Sequence, residues 1–338
     1  MRKARITALV LVAMLCWALP HAWADDKKND VDEIGDRSVA HRSIISQEKE
    51  IAIGKQYAHL IDKQAKILKD PVVNEYVNRV GQNLARNSDL KIPLTVKVID
   101  DPTINAFTLP GGYVYLNTGT ILAADEEDQM AGVMAHEIGH AAARHWASTV
   151  TRATFLQAAT TSAMIFVPMS YPVYAGVMEA YMNGVPLAFL KFSRKQEEEA
   201  DYLGLQYMYK AGYDPDAFVV FFGNVMDQER RNPGSMAKIF ADHPPTGDRI
   251  LAAQDEIQKI LTQRPEYLVS TSEYDDMRSR LQTLMAQGKR LQKGGNGQDN
   301  GATLHKKTSE QTPAQSSGQS GQSSGSNDDS PTVLKRKD

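Results

Sequence analysis

An α+β fold, mainly helical around a small β-sheet, is what this sequence predicts, and three observations carry the prediction. Apolar residues recur every three or four positions over 47–69 and through most of the chain after 125, which is the period of one helix face. Between these regions, 94–99 alternates apolar and polar side chains, and Leu109-Pro110-Gly111-Gly112 turns the chain into a second short apolar run at 113–116. A length of 338 residues with 42% hydrophobic content is enough to bury a sizeable core.

Composition removes several classes of function. A net charge of −3, from 38 basic and 41 acidic side chains, argues against a nucleic-acid partner, whose surface would be basic. Cys16 is the single cysteine, so neither a disulfide scaffold nor a cysteine-ligated metal or redox centre is available.

Taken in order, residues 1–24 place Arg2, Lys3 and Arg5 before an apolar run at 6–19 and close with Ala22-Trp23-Ala24. A basic start, a short apolar stretch and small residues two apart predict a cleavable secretory signal, and with it the periplasm. The run is shorter than the ~20 residues that a membrane span needs. Residues 25–45 are polar and expected to be flexible. The helix expected over 47–69 puts Ile51, Ala58, Ile61, Ala65 and Leu68 on one side, and Pro71 suits the first position of a second helix reaching about residue 86. Strands follow at 94–99 and 113–116, separated by the Asp101-Pro102 turn. Residues 153–178 carry no charge, but Pro168 and Pro172 interrupt them, so 153–192 reads as an apolar helical hairpin. Two readings of the hairpin stay open: it contacts a membrane surface over the cleft, or it is ordinary core. Residues 293–338 are rich in Gly, Ser and Gln and predict a disordered tail, leaving 46–292 as the folded domain.

The chemistry sits at His136-Glu137-Ile138-Gly139-His140. Histidines four apart on a helix present both imidazoles to one point, and Glu137 between them can take a proton from an attacking water. Zinc suits such a site, because imidazole and carboxylate are good ligands for it. Asp125 is placed to cap this helix, and Met130, Val133 and Met134 supply its apolar stripe. A third ligand is required. The positions three and six after His140 hold Ala143 and Trp146, so one known completion by a further histidine is excluded. His145 lies nine after His136, where the same helix would point it away, and reads as a packing or capping residue. The alternative is a second helix, opened by the Ser193/Gln196 capping-box pair. Asp201 shares its buried stripe with Leu205 and Met208, and Glu197 stands one turn before it. Glu198 and Glu199 read as a solvated helix start. A buried Asp201 needs a partner, and a metal-bound imidazole donating its free N–H is a good one.

Four blocks in this order resemble a known family: Asn105-Ala106-Phe107 with Pro110-Gly111-Gly112-Tyr113, then 136–140, then Ser193-Arg194 with Glu197 and Asp201, and His243-Pro244-Pro245 with Arg249. The sequence resembles the gluzincin zinc metallopeptidases related to the CAAX prenyl protease and HtpX, in their periplasmic BepA-like branch but without its tetratricopeptide repeats. The resemblance covers about 44–292. It implies one zinc per chain held by His136, His140 and Glu197, with Glu137 as catalytic base and Asp201 orienting a ligand histidine. It implies that His243 approaches the zinc in a latent form or faces the transition state, and that Arg249 supports the developing oxyanion. Gly111, Gly112, Tyr113, Val114 and Tyr115 would pair with an extended substrate, the small sheet edging the active-site cleft. Asp242 stands where the family has threonine, a change that favours a protonated His243 and weakens any latching on zinc. The function implied is an exported endopeptidase acting on misfolded or stalled envelope proteins. A second expectation, of another class, is a holdase or assembly factor with latent or minor proteolysis. Expected partners are unfolded or misassembled envelope proteins and, on the first of the two readings of 153–192, a membrane surface.

Overall fold

A computed structural model describes residues 30–166, 192–231, 243 and 247–295. The predicted leader, most of the apolar hairpin, Asp242 and the tail beyond 295 lie outside the described residues.

Helix α1, Gln47–Gln64, starts where the Ser46 side chain accepts from Lys49 N–H, and it buries Glu50, Gly54 and Ala58. It stops short of the predicted residue 69 because Ala65 leaves the helical region, after which Ile67 bridges to Ile99 of the sheet. Helix α2, Pro71–Arg86, begins with proline at its first turn under an Asp70 cap, and lays Val73, Val77, Val80 and Leu84 into the core.

Three strands follow: β1 Thr95–Ile99, β2 Ala106–Leu109 and β3 Tyr113–Asn117. Their order is β1-β3-β2, with β3 parallel to β1 (Thr95 opposite Tyr113) and antiparallel to β2 (Leu109 opposite Tyr113). The turn at 110–112 that makes this hairpin is pressed onto α1. A Cβ at Gly111, whose φ is +80°, would meet the Ile51 backbone at 2.7 Å, and one at Gly54 would meet the Pro110 carbonyl.

Helices then complete the molecule: α3 Thr118–Ala123, α4 Glu127–Ala142, α5 His145–Phe166, α6 Arg194–Ala211, α7 Asp216–Arg231, α8 Gly247–Ile260 and α9 Ser272–Gly295. Helix α4 is central. All its residues except Ala141 are buried, as expected of a helix that is covered on every side. The core joins Val80 and Leu84 of α2, Leu116 of β3, Met134 and Ile138 of α4, Leu203 and Met208 of α6, Phe221 of α7 and Tyr274 of α9. The α+β, mainly helical prediction holds. Among the described residues no helix is long and apolar enough to cross a membrane.

Two expectations are corrected here. The stretch expected to be flexible, 25–45, is docked over its described part. Val39 and Ile45 are buried, and Arg37 donates to Asp89 at 2.9 Å in a pair with almost no exposure. A polar segment can be fixed this way when its few apolar and charged groups each find a buried partner. The Asp125 cap is also absent: α4 starts after Glu126 with no side-chain cap, while the Gln129 side chain accepts from the Asp125 N–H.

Burial also sets a measurable property on α8. Glu256 is 8% exposed and accepts from the Gln206 amide at 3.3 Å. Burial above all, with the nearby Asp201 charge, pushes its carboxyl from 4.5 up to about 9. Between those values the folded chain keeps a proton that the unfolded chain has lost, so this group costs stability as pH rises, by about 1 kcal/mol per pH unit. Glu256→Gln should therefore melt close to the wild type at pH 5 and several degrees above it at pH 8. A constant difference across that range would refute the assignment.

Candidate active site

Two helices build the site, and glycines let them meet. A Cβ at Gly139 of α4 would lie 2.9 Å from the Ala200 carbonyl of α6, and one at Gly204 would lie 3.1 Å from His136 N. With side chains at these points the helix axes would have to separate. Helix α6 begins with the predicted capping box, Ser193 and Gln196 satisfying each other's backbone N–H groups. The Gln196 amide also donates to the His145 carbonyl at 3.1 Å and to the Ser148 hydroxyl at 3.2 Å, tying this helix start to the start of α5.

This arrangement brings the sequence-predicted residues together. His136 Nε2 lies 3.0 Å from His140 Nε2 and 3.4 Å from Glu197 Oε2, and His140 Nε2 lies 3.6 Å from Glu197 Oε1. All three are 2% exposed or less. Asp201 Oδ1 stands 2.8 Å from His136 Nδ1, behind the ligand ring as expected. Phe192 stacks on the His140 ring at 4.0 Å. Glu137 is buried beside them, its Oε1 3.7 Å from His243 Nε2.

The donor geometry fits zinc. Bonds of about 2.0–2.1 Å arranged tetrahedrally put neighbouring donors about 3.3 Å apart, close to the three separations found. The electrostatics agree. Burial opposes ionisation of Glu197, but His136 and His243 more than offset it and hold the carboxyl far below its usual range. Burial likewise opposes charge on His136, yet Asp201 and Glu197 raise it, while burial and His136 keep His140 neutral. Two carboxylates thus favour positive charge at His136. His243 joins the same group: its Nδ1 is 3.0 and 3.1 Å from the two Glu197 oxygens and 3.4 Å from His136 Nε2, with all four residues' donor atoms within 4.8 Å of one another.

Arg249 bonds to two carboxylates in this structure. Its Nε donates to Asp201 Oδ2 at 2.6 Å, Nη2 to Asp201 Oδ1 at 2.7 Å, and Nη1 lies 3.2 Å from Glu197 Oε2. Other expectations are corrected. The strand assigned to substrate is the middle one: Tyr113, Val114 and Tyr115 pair with β1 on one side and β2 on the other, and Gly111 and Gly112 are buried in the turn. Its backbone groups are already used, so an incoming peptide cannot pair with it.

His145 does not point away. Helix α4 ends at Ala142, and Arg144 takes φ +56°, a left-handed conformation uncommon outside glycine. Its guanidinium is held by Glu50 Oε2 and the Ile45 carbonyl, each at 2.8 Å. The reversal swings His145 back until its Nδ1 is 2.8 Å from His140 Nδ1, and burial keeps its pKa low. Glu199 is not merely solvated either. Its Oε2 lies 3.3 Å from His145 Nε2 and 2.6 Å from His41 Nε2. The sequence reading gives no role to His41 and different ones to His145 and Glu199, whose side chain is only 19% exposed.

Comparison with known proteins agrees with this geometry. Residues 71–257, just over half the chain, match the model of peptidase family M48. The beta-barrel assembly-enhancing protease of Escherichia coli K12 is 28% identical over 80% of the chain and 55% of its own length. A Vibrio cholerae protein provisionally given the same name is 32% identical over 69% and 49%. The mitochondrial metalloendopeptidase OMA1 of Schizosaccharomyces pombe is 34% identical over 56% and 54%. The chain spans about half the length of the curated relatives it matches.

Proposed function

The chain belongs to peptidase family M48, and on that footing we propose that it is a zinc-dependent endopeptidase, with one zinc per chain, that is exported to the periplasm and hydrolyses peptide bonds of misfolded or stalled envelope proteins. The observation that carries the proposal is the triangle of His136, His140 and Glu197 donors, with edges of 3.0 to 3.6 Å and an acidic side chain, Glu137, buried alongside. Support for export is the basic-then-apolar leader of residues 1–24. Support for envelope substrates is the name of its relatives, which refers to β-barrel assembly.

Zinc held there supplies Lewis-acid chemistry, polarising a peptide carbonyl and making water more acidic. The remaining work belongs to side chains. Glu137 takes the proton of the attacking water and passes it to the leaving amine. Asp201 Oδ1, 2.8 Å from His136 Nδ1, would steady that ring with Nε2 free to ligate, and Arg249 holds both Asp201 oxygens in place. Zinc content and casein cleavage of the purified protein test the proposal. Metal-free protein under zinc-replete conditions would end it.

His243 bears on the resting state. Its Nδ1 lies 3.0 Å from Glu197 Oε1 and 3.4 Å from His136 Nε2, and this proximity supports a closed, latent resting form in which His243 would hold the corner a substrate or water needs. Removing that donor opens the corner. If the closed form outweighs the open one tenfold, His243→Ala should raise casein cleavage by about tenfold. A fall in cleavage would instead assign His243 to the transition state.

A further inference from the structure

His41, His145 and Glu199 form a second group, with His145 buried and the other two half-buried, directly behind the metal ligand His140, and nothing in the hydrolytic mechanism uses it. Two roles are chemically open to two imidazoles and a carboxylate whose donor atoms lie within 4.8 Å of one another. They could hold a second ion, or they could hold His140. Proton counting separates the two.

A His140 that ligates through Nε2 carries its proton on Nδ1 and must donate it. The atom facing it, 2.8 Å away, is His145 Nδ1, which must therefore be the unprotonated nitrogen. The His145 proton is then on Nε2, where Glu199 Oε2 accepts it at 3.3 Å. The same oxygen accepts from His41 Nε2 at 2.6 Å, and the His41 backbone N–H donates to the Ala143 carbonyl at 3.0 Å. Each group in this series has one consistent role. A second ion on His145 Nε2 would move its proton to Nδ1, and two N–H groups would then face each other across 2.8 Å with no acceptor between them. The group cannot hold an ion while His140 holds one.

We infer that His145, Glu199 and His41 are positioning residues: a hydrogen-bonded series that fixes the tautomer and angle of the zinc ligand His140 and anchors it, through His41, to the docked segment before α1. The inference rests on the zinc-peptidase reading above. Supporting partners of metal-bound imidazoles are worth about 10- to 100-fold in metal affinity.

The test uses the full chain, Zn2+ as the probe, chelator competition for affinity, and the melting temperature of metal-free protein as a control for folding. His145→Phe keeps the packing but offers no acceptor, and should weaken zinc binding about 10- to 100-fold. His145→Asn places an amide oxygen near the lost Nδ1 and should restore most of that affinity. His41→Ala, at the outer and partly exposed end, should weaken zinc about threefold or more with metal-free melting unchanged, and it decides the matter if the Phe variant does not fold. Wild type with one tightly held zinc and equally tight binding by His145→Phe, or by His41→Ala where Phe fails, would overturn the inference alone. Two zinc equivalents in the wild type, falling to one in His41→Ala, would overturn it in favour of a second ion site. A wild-type chain that binds no zinc would overturn the peptidase reading and the inference with it.

Discussion

Glu137→Gln should hold zinc as tightly as the wild type and cleave casein about a thousandfold more slowly. The substitution keeps the shape of the side chain and removes its charge and its capacity to accept a proton. Positioned proton transfer contributes about 10²- to 10⁴-fold, and here one side chain serves both the attacking water and the leaving amine. Glu137 is outside the group of four donors gathered at the ligand point, so metal content should not change. Zinc analysis beside a cleavage time course checks both halves. Undiminished proteolysis would remove Glu137 from the chemistry. Lost proteolysis with retained protection of an unfolded client from aggregation would show that this chain also grips what it cuts.

The second large effect is on stability. Arg249→Met should cost about 3–5 kcal/mol, the range found when one partner of a buried ion pair is removed. Arg249 is 7% exposed and bonds both oxygens of Asp201, itself 5% exposed. Without it the Asp201 carboxylate is buried against a single imidazole. The sign of the pH response follows. Burial pushes the Asp201 carboxyl up, but Arg249 and His136 more than offset this and hold it below 3.8. Its contribution is therefore present above pH 3.8 and fades as pH falls through the lower folded-state value. Urea unfolding at pH 7 should show nearly the full loss in the variant. The gap should narrow toward pH 3, where the wild type is losing the same interaction. Equal midpoints at pH 7 would mean that the Arg249–Asp201 pair is energetically neutral.

The ligand set was legible because each member left a local signature. His136 and His140 needed only helical spacing, and Glu197 followed from the Ser193/Gln196 cap and the Asp201 stripe. The two helices and the strands β1 and β3 up to 117 were readable for the same reason, apart from the end of α1, while β2 at Ala106–Leu109 carries too short a pattern to show. Strand order was not, since period-two alternation says which face is buried but not which neighbour lies on each edge. The pattern at 113–116 is therefore compatible with a strand open to an incoming peptide, whereas Tyr113–Asn117 is the centre of the sheet. His145 was misplaced because a left-handed arginine interrupts the helix. Arg144 carries no mark of this in the sequence, where glycine or asparagine would have. The docking of residues 30–45 was hidden because its partners are remote: Arg37 meets Asp89 and His41 meets Glu199.

The distances along the chain within this centre have a consequence for its biogenesis. His136 meets His243 across 107 positions, and His41 meets Glu199 across 158. Contacts between such remote points form only after long loops have closed, which places them toward the end of folding. A chain whose last helices have not yet packed therefore lacks an assembled centre, and its hydrolytic chemistry begins only once they have.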